Sequence, residues 1–194
     1  MVTSLNEQDV TPAVIEACRQ GDRDAFRLVY EAYKDKVYSM ALYFFHGDAA
    51  MAADVTQQVF LKLLRNIGQF RGDSGFSTWL YRLVVNACVD TGRRRGARAR
   101  AIDAAMLDSL PAAGSHEDMF ASAQTAAAVR AAVSSLAPKI RLAILLRYFE
   151  DLSYAEMAHV LKCSVGTVGS RLSRGHEILA RVLAPLRGSP GGKR

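Results

Sequence analysis

Apolar residues recur at spacings of three and four along most of this chain, and no stretch alternates convincingly enough to be a strand. Thr11 followed by Pro12 starts a first short helix, because proline suits a first turn whose N–H has no partner anyway, and Gly21 ends it. Asp22 caps a longer helix in which Phe26, Val29, Tyr30, Tyr33, Val37, Met40 and Phe44 form a single stripe expected to be buried. His46-Gly47-Asp48 breaks it. A third helix turns Ala52, Val55, Val59, Leu63 and Ile67 inward and leaves Asp54, Gln57, Gln58, Lys62 and Arg65 mostly outward. A loop rich in Gly, Asp and Ser follows, from Gly68 to Gly75. A fourth helix is predicted from near Ser77 through Trp79, Leu80, Leu83, Val84 and Ala87 towards Asp90, ending in the charges of Arg93, Arg94, Arg95, Arg98 and Arg100.

From Ala101 to Ala128 the pattern dissolves. This stretch carries four acids, no Lys or Arg, many alanines and a Leu-Pro-Ala-Ala-Gly-Ser break, so it reads as a tether with some marginal helix. Helical periodicity then returns. Pro138 opens a segment with Ile140, Ala143, Ile144 and Tyr148. Ser153-Tyr154-Ala155-Glu156 is a capping box that starts a helix with Met157, Val160 and Leu161 apolar. Lys162 and Cys163 make a turn, and Ser164 caps a final helix whose Val165, Val168 and Leu172 are expected to face inward. The fold class is all-α: two small helical domains, 1–100 and 129–188, joined by a flexible acidic linker, 101–128, with a short tail at 189–194.

Composition narrows the function. Half of the 194 residues are hydrophobic, enough for real cores, and the formal charge of +6 favours a polyanionic partner mildly. No apolar run approaches the roughly 20 residues that span a bilayer, and the first residues lack a signal peptide's regions, so the expectation is a soluble cytoplasmic protein without membrane insertion. Cys18, Cys88 and Cys163 stand far apart in no metal-ligand spacing and read as packing residues, with a redox switch as the minority reading. His46, His116, His159 and His176 are scattered. With no phosphate loop, nucleophile elbow, metal-binding pair or catalytic carboxylate pair, neither catalytic residues nor a cofactor nor a metal is expected.

Two segments carry candidate nucleic-acid chemistry. Leu152 to Arg174 has the form of a helix-turn-helix. Its second helix would expose Thr167, Ser170, Arg171 and Arg174: small hydroxyls let a helix sit deep in the major groove, and arginines reach phosphates or guanine edges. A plain helical hairpin with solvated arginines explains the same spacing about equally well. The second segment combines Phe76, Trp79, Tyr81, Arg82 and Asn86 with the arginine cluster. Aromatic rings stack on unpaired bases, Asn reads a base edge and arginines hold the backbone. A lone Trp on an amphipathic helix is nevertheless more often core, and arginines at a helix end are often simply solvated.

Taken together, the segments resemble the extracytoplasmic-function (group 4) sigma factors of the sigma-70 family, over nearly the whole chain. Asp24-Ala25-Phe26, Asp54-Val55-Thr56-Gln57-Gln58-Val59-Phe60, Phe70-Arg71-Gly72-Asp73-Ser74 and Thr78-Trp79-Leu80-Tyr81-Arg82 look like that family's second conserved region. Leu152-Ser153-Tyr154-Ala155-Glu156, Gly166-Thr167-Val168 and Ser170-Arg171-Leu172 look like its fourth. The resemblance implies a specificity subunit of RNA polymerase without a catalytic site of its own. Asp54, Gln57, Gln58 and Lys62 would bind the clamp helices of core polymerase, whose flap is a further contact. Phe70, Arg71, Asp73, Ser74, Phe76, Trp79, Tyr81, Arg82, Asn86, Arg93 and Arg94 would capture the −10 element as single-stranded DNA. Ser164, Thr167, Gly169, Ser170, Arg171 and Arg174 would read the −35 element as duplex. The acidic linker would thread through the polymerase, and an anti-sigma factor would hold the chain inactive.

Some positions depart from the family pattern. Gly169 and Ser173 stand where many relatives carry larger side chains, so an unusual −35 preference, weaker −35 binding, or both are expected. Leu80 follows Trp79 where primary sigma factors have a second tryptophan, which implies weaker melting. Two other classes compete. A stand-alone helix-turn-helix regulator would bind duplex tightly without polymerase. A DNA-processing enzyme such as a recombinase would need a nucleophile in the first domain, and none is evident.

Overall fold

A computed structural model describes residues 9–103 and 122–187, with side chains for 9–97 and 127–184. The described residues hold helices and no strand. The helices are α1 (Pro12–Arg19), α2 (Arg23–Phe44), α3 (Ala49–Asn66), α4 (Phe76–Asp103), α5 (Ser122–Ser135), α6 (Pro138–Tyr148), α7 (Tyr154–Leu161) and α8 (Val165–Arg187). A 3₁₀ turn, Ile67–Gln69, follows α3.

The starts are set where the side-chain chemistry predicts. The Thr11 hydroxyl accepts from the Val14 amide, Asp22 from the amides of Asp24 and Ala25, and Asp48 from that of Met51, each satisfying a first-turn donor that the helix cannot. The stripe of α2 packs on α3, whose Ala52, Val55, Val59, Leu63 and Ile67 are all buried as expected. Phe26 is only half-buried, and Tyr30 departs furthest from the predicted stripe of α2. It is 38% exposed and meets Phe60 edge-on at 4.8 Å, because the stripe is wider than its contact with α3 and Tyr30 sits on the rim. Ala25 and Ala41 complete the buried face.

The expected inward side of Val165 is corrected, whereas helix α4 runs through the arginine cluster to Asp103, much as expected. A bond from Arg95 to the Asp48 carboxylate, 2.9 Å, helps hold that stretch on the start of α3. Val165 is exposed because it is the first residue of α8, a turn before the inward-facing Val168 and Leu172. Helix α5 begins at Ser122, inside the stretch read as tether, and the middle of that stretch lies outside the described residues.

Helices α5 to α8 pack around Leu136, Leu145, Leu146, Met157 and Leu172, each fully buried. Helices α6 and α8 cross closely: a Cβ on Gly175 would come within 2.9 Å of Ile144. The two helical groups also touch one another, chiefly α7 on α4 and α6 on α2. Arg141 helps hold this junction. Its guanidinium is buried and donates to the carbonyls of Val133, Leu136 and Phe44, so it ties the end of α5 to the end of α2. No helix among the described residues is long and apolar enough to cross a membrane.

Candidate nucleic-acid interface

The loop between α3 and α4 is built on an aromatic cluster. Phe70 meets Phe76 edge-on at 5.7 Å and Trp79 at 5.6 Å, and Trp79 is only 7% exposed. Trp79 is thus a scaffold residue, and the packing explanation holds for it in this arrangement. The cluster pins both ends of the loop, while Gly72, at φ +79°, supplies a turn that an L side chain would strain. Arg71 and Asp73 project to solvent and Ser74 is half-buried. Beside the loop lies a hollow of about 430 Å³, lined by Phe70, Arg71, Ser74 and Phe76 and closed from α1 by Ile15, Glu16 and Arg19. A flat ring entering it would meet an aromatic wall and both polar and charged groups. Glu16 and Arg19, paired at 2.7 Å, line this hollow, a placement that motif reasoning overlooks because α1 lies far from the loop in the sequence.

Along α4 the expected residues separate. Asn86 is exposed, as are Arg93 and Arg94, with Arg93 pairing with Asp90 at 3.6 Å. Tyr81, by contrast, is 1% exposed and its hydroxyl donates to Glu150, while Arg82 lies against His159 at 3.3 Å. These two contacts come from the other helical group. The face of α4 that was expected to take single-stranded DNA is therefore partly covered by α7 and the turn before it.

On α8 the Ser164 hydroxyl accepts from the Thr167 amide at 3.1 Å and shares a bond with the Thr167 hydroxyl at 2.8 Å. Ser170 donates back to the Thr167 carbonyl, and Arg171 folds over Cys163. Arg174 is exposed, and Gly169 has room: the nearest side-chain atom to an added Cβ is in the Tyr154 ring, 3.9 Å away. One face of α8 thus presents small groups first and an arginine further on, a profile that suits a groove.

A third face lies on α3. Asp54 and Gln57 are exposed, and Gln58 and Lys62 are half-buried. Beside them stand Leu61 and Leu64, the latter 52% exposed, on a groove of about 590 Å³ that also takes in Tyr30, Tyr38 and Phe60. Such an apolar surface is a docking signal that the polar residues alone did not give; it was legible in two leucines lying off the buried stripe of α3.

The thiols of Cys18 and Cys88 are not poised for chemistry. Burial pushes Cys88 up to about 12, and Cys18 is raised by burial and by Asp22, so neither supplies a thiolate readily.

Residues 29–98 match the family described as Sigma-70 region 2, and residues 126–178 the family described as Sigma-70, region 4. The chain is 36% identical over 187 residues to the RNA polymerase sigma-H factor of Pseudomonas aeruginosa, covering 92% of this chain and 96% of that one. It is 36% identical over 191 residues to the ECF RNA polymerase sigma-E factor of Escherichia coli K12, covering 94% and 98%. In three dimensions it resembles CnrH, solved with the cytosolic domain of CnrY (TM-score 0.68, 21% identity, 91% of this chain and 99% of that). It also resembles the Bartonella quintana sigma factor RpoE, solved with the anti-sigma factor NepR (TM-score 0.67, 21% identity, 82% and 96%).

Proposed function

Because the chain belongs to the extracytoplasmic-function sigma factors, we propose a division of labour among the three faces described above. The loop at Phe70 to Phe76 and the exposed side of α4 take the −10 element as single-stranded DNA. The hollow between the loop and α1 receives an extruded base, with Phe70 and Phe76 as walls. Arg71, Arg93 and Arg94 hold phosphates without reading sequence, and Asn86 offers both a donor and an acceptor to a base edge. Helix α8 enters the major groove at the −35 element, with Thr167, Ser170, Arg171 and Arg174 towards the duplex. The groove of α3, with Gln57 beside Leu61 and Leu64, docks on the clamp helices of core polymerase. The chain works in the cytoplasm, needs no cofactor, and leaves catalysis to the polymerase.

The single observation that carries this reading is the pairing of an aromatic-walled hollow on one helical group with an exposed groove-reading helix on the other. A stand-alone helix-turn-helix regulator would use only the second and leave residues 29–98 without a role. An anti-sigma partner also fits. At the junction of the two groups runs a groove of about 960 Å³, lined by Phe44, Phe45, Val89 and Leu142 and rimmed by Arg93, Arg95 and Lys139, which suits a helix with apolar and acidic sides. The test is run-off transcription with purified bacterial core polymerase on a promoter library. Transcripts sharing one −35/−10 pair, formed only when chain and core are both present, are expected. Tight duplex binding by the chain alone with no new transcript would transfer the assignment to the regulator.

A further inference from the structure

The polar groups at the start of α8 are partly spent inside the protein. The Ser164 hydroxyl accepts from the Thr167 amide and shares a further bond with the Thr167 hydroxyl, and the Ser170 hydroxyl donates to the Thr167 carbonyl. A hydroxyl whose hydrogen is engaged in this way can still accept from a base, but it can no longer donate to one. Arg171 folds over Cys163 at 3.5 Å, while Arg174 stands exposed and can reach a guanine edge or a phosphate. Beside these groups lies an apolar surface. Tyr154, the first residue of α7, is 44% exposed, and Val165, the first of α8, is 50% exposed. Gly169 follows Val165 by one turn on the same side of α8. Its missing side chain leaves a notch against the Tyr154 ring: an added Cβ would lie 3.9 Å from that ring, at ordinary van der Waals distance, with no other foreign atom within 4 Å.

We infer that this notch, with Tyr154 and Val165 as walls and the Gly169 backbone as floor, seats the C5-methyl of a thymine and so fixes one A·T pair of the −35 element. The inference rests on the assignment of α8 to the −35 duplex. Seen from the major groove, the thymine methyl is the apolar group of the four bases, whereas the purines present N7 acceptors and cytosine an amino donor. A polar base edge set against Tyr154 and Val165 loses water and gains no partner, which costs more than the lost contact alone. The notch therefore selects by attraction for the methyl and by exclusion of the other edges. A larger side chain at residue 169 would fill it, so the glycine is what makes this readout available. Tyr154 acts here as a specificity residue on α7, the helix that is not itself expected to enter the groove.

The test uses the full chain bound to purified core polymerase. Selection from a randomised promoter library identifies the −35 sequence, and each of its thymines is then replaced singly by deoxyuridine, which removes the methyl and nothing else. At one position the exchange should weaken binding about fourfold, the weight of one buried methyl group. Gly169→Ala, which puts a carbon into the notch, and Tyr154→Ser, which removes a wall, should each bind the thymine and uridine duplexes equally. Tyr154→Phe should keep the wild-type difference. The slope of affinity against salt should be the same for Tyr154→Ser as for wild type, since no phosphate contact is lost. Circular dichroism melting checks the folding of each variant, and Gly169→Ala, whose Cβ has room, keeps the test decisive if Tyr154→Ser does not fold. The inference is overturned if no thymine methyl matters, if the methyl effect survives in Gly169→Ala, or if Tyr154→Ser flattens the salt slope, which would make Tyr154 a phosphate contact. Failure of the −35 assignment looks different: a selection that returns no shared −35 sequence removes that assignment and the notch together, whereas a shared sequence indifferent to uridine removes the notch alone.

Discussion

Two glycines on one helix show how much a single Cβ can mean. At Gly175 an added Cβ would sit 2.9 Å from Ile144 and 3.1 Å from Ile140, at a crossing already closed by stiff, branched side chains. Helix propensity favours alanine by about 1 kcal/mol, but overpacking of this kind costs about 1–3 kcal/mol. Gly175→Ala is therefore expected to lower stability by up to about 2 kcal/mol, measured by urea unfolding, with a fall in Tm of a few degrees. At Gly169 the nearest foreign atom is 3.9 Å away and the helix gains. Gly169→Arg should raise stability by about 1 kcal/mol and add a phosphate contact, giving tighter −35 duplex binding with a steeper salt dependence. Unchanged −35 affinity and preference would remove Gly169 from the interface. Both glycines look alike in the sequence, because neither position has a positive φ and only the neighbouring helix tells them apart.

At the scale of the element, the capping box of α7 joins helix start and domain junction. The Ser153 hydroxyl accepts from the Glu156 amide, and Glu156 accepts from the Ser153 amide at 2.8 Å. Those bonds from Ser153, side chain first and backbone second, hold the Glu156 carboxyl below its usual range, with a smaller contribution from Thr78. A depressed carboxylate contributes stability that is present above the unfolded pKa, near 4.5, and lost as pH falls through the folded value. Glu156→Gln should thus be less stable than wild type at pH 7, and the gap should close as pH falls below 4.5 through the depressed folded value, in a pH series of thermal melts. Ser153→Ala should cost about 1 kcal/mol. Most starts were legible in this way: Thr11, Asp22 and Ser153 cap where their chemistry says. The start of α5 was not, because an alanine-rich stretch beyond a Leu-Pro-Ala-Ala-Gly-Ser break carries no apolar stripe to mark it.

The whole molecule adds a titratable group at the junction. His46 accepts from the Arg141 guanidinium at 3.1 Å, and since arginine can only donate, the acceptor is Nε2 and the neutral ring carries its proton on Nδ1. Burial first, then Arg141 and Arg95, lower the His46 pKa from its ordinary 6.5, with Asp48 the nearby acid on the same loop. A base with a depressed pKa favours the folded state while neutral, so its contribution is full above about pH 6.5 and declines as pH falls towards the folded value. The Tm is expected to fall from pH 7 to pH 5. His46→Asn, which tolerates the left-handed backbone at φ +60° and still accepts from Arg141, should flatten that dependence. An unaltered slope in the variant would assign the pH effect to other groups.

By itself the sequence determined the helical class, nearly every helix start, the buried stripe of α3 and the residue types from which a nucleic-acid surface could be made. These are local matters: apolar period, cap chemistry and glycine at a positive φ act within a few residues. The tertiary structure alone decided that Trp79 is scaffold, that Glu16 and Arg19 complete the hollow beside the loop, that Leu61 and Leu64 open onto a groove, and that Tyr81 lies under Glu150. Each of those depends on residues tens of positions apart, and a helical period says which side of a helix is apolar without saying what comes to cover it.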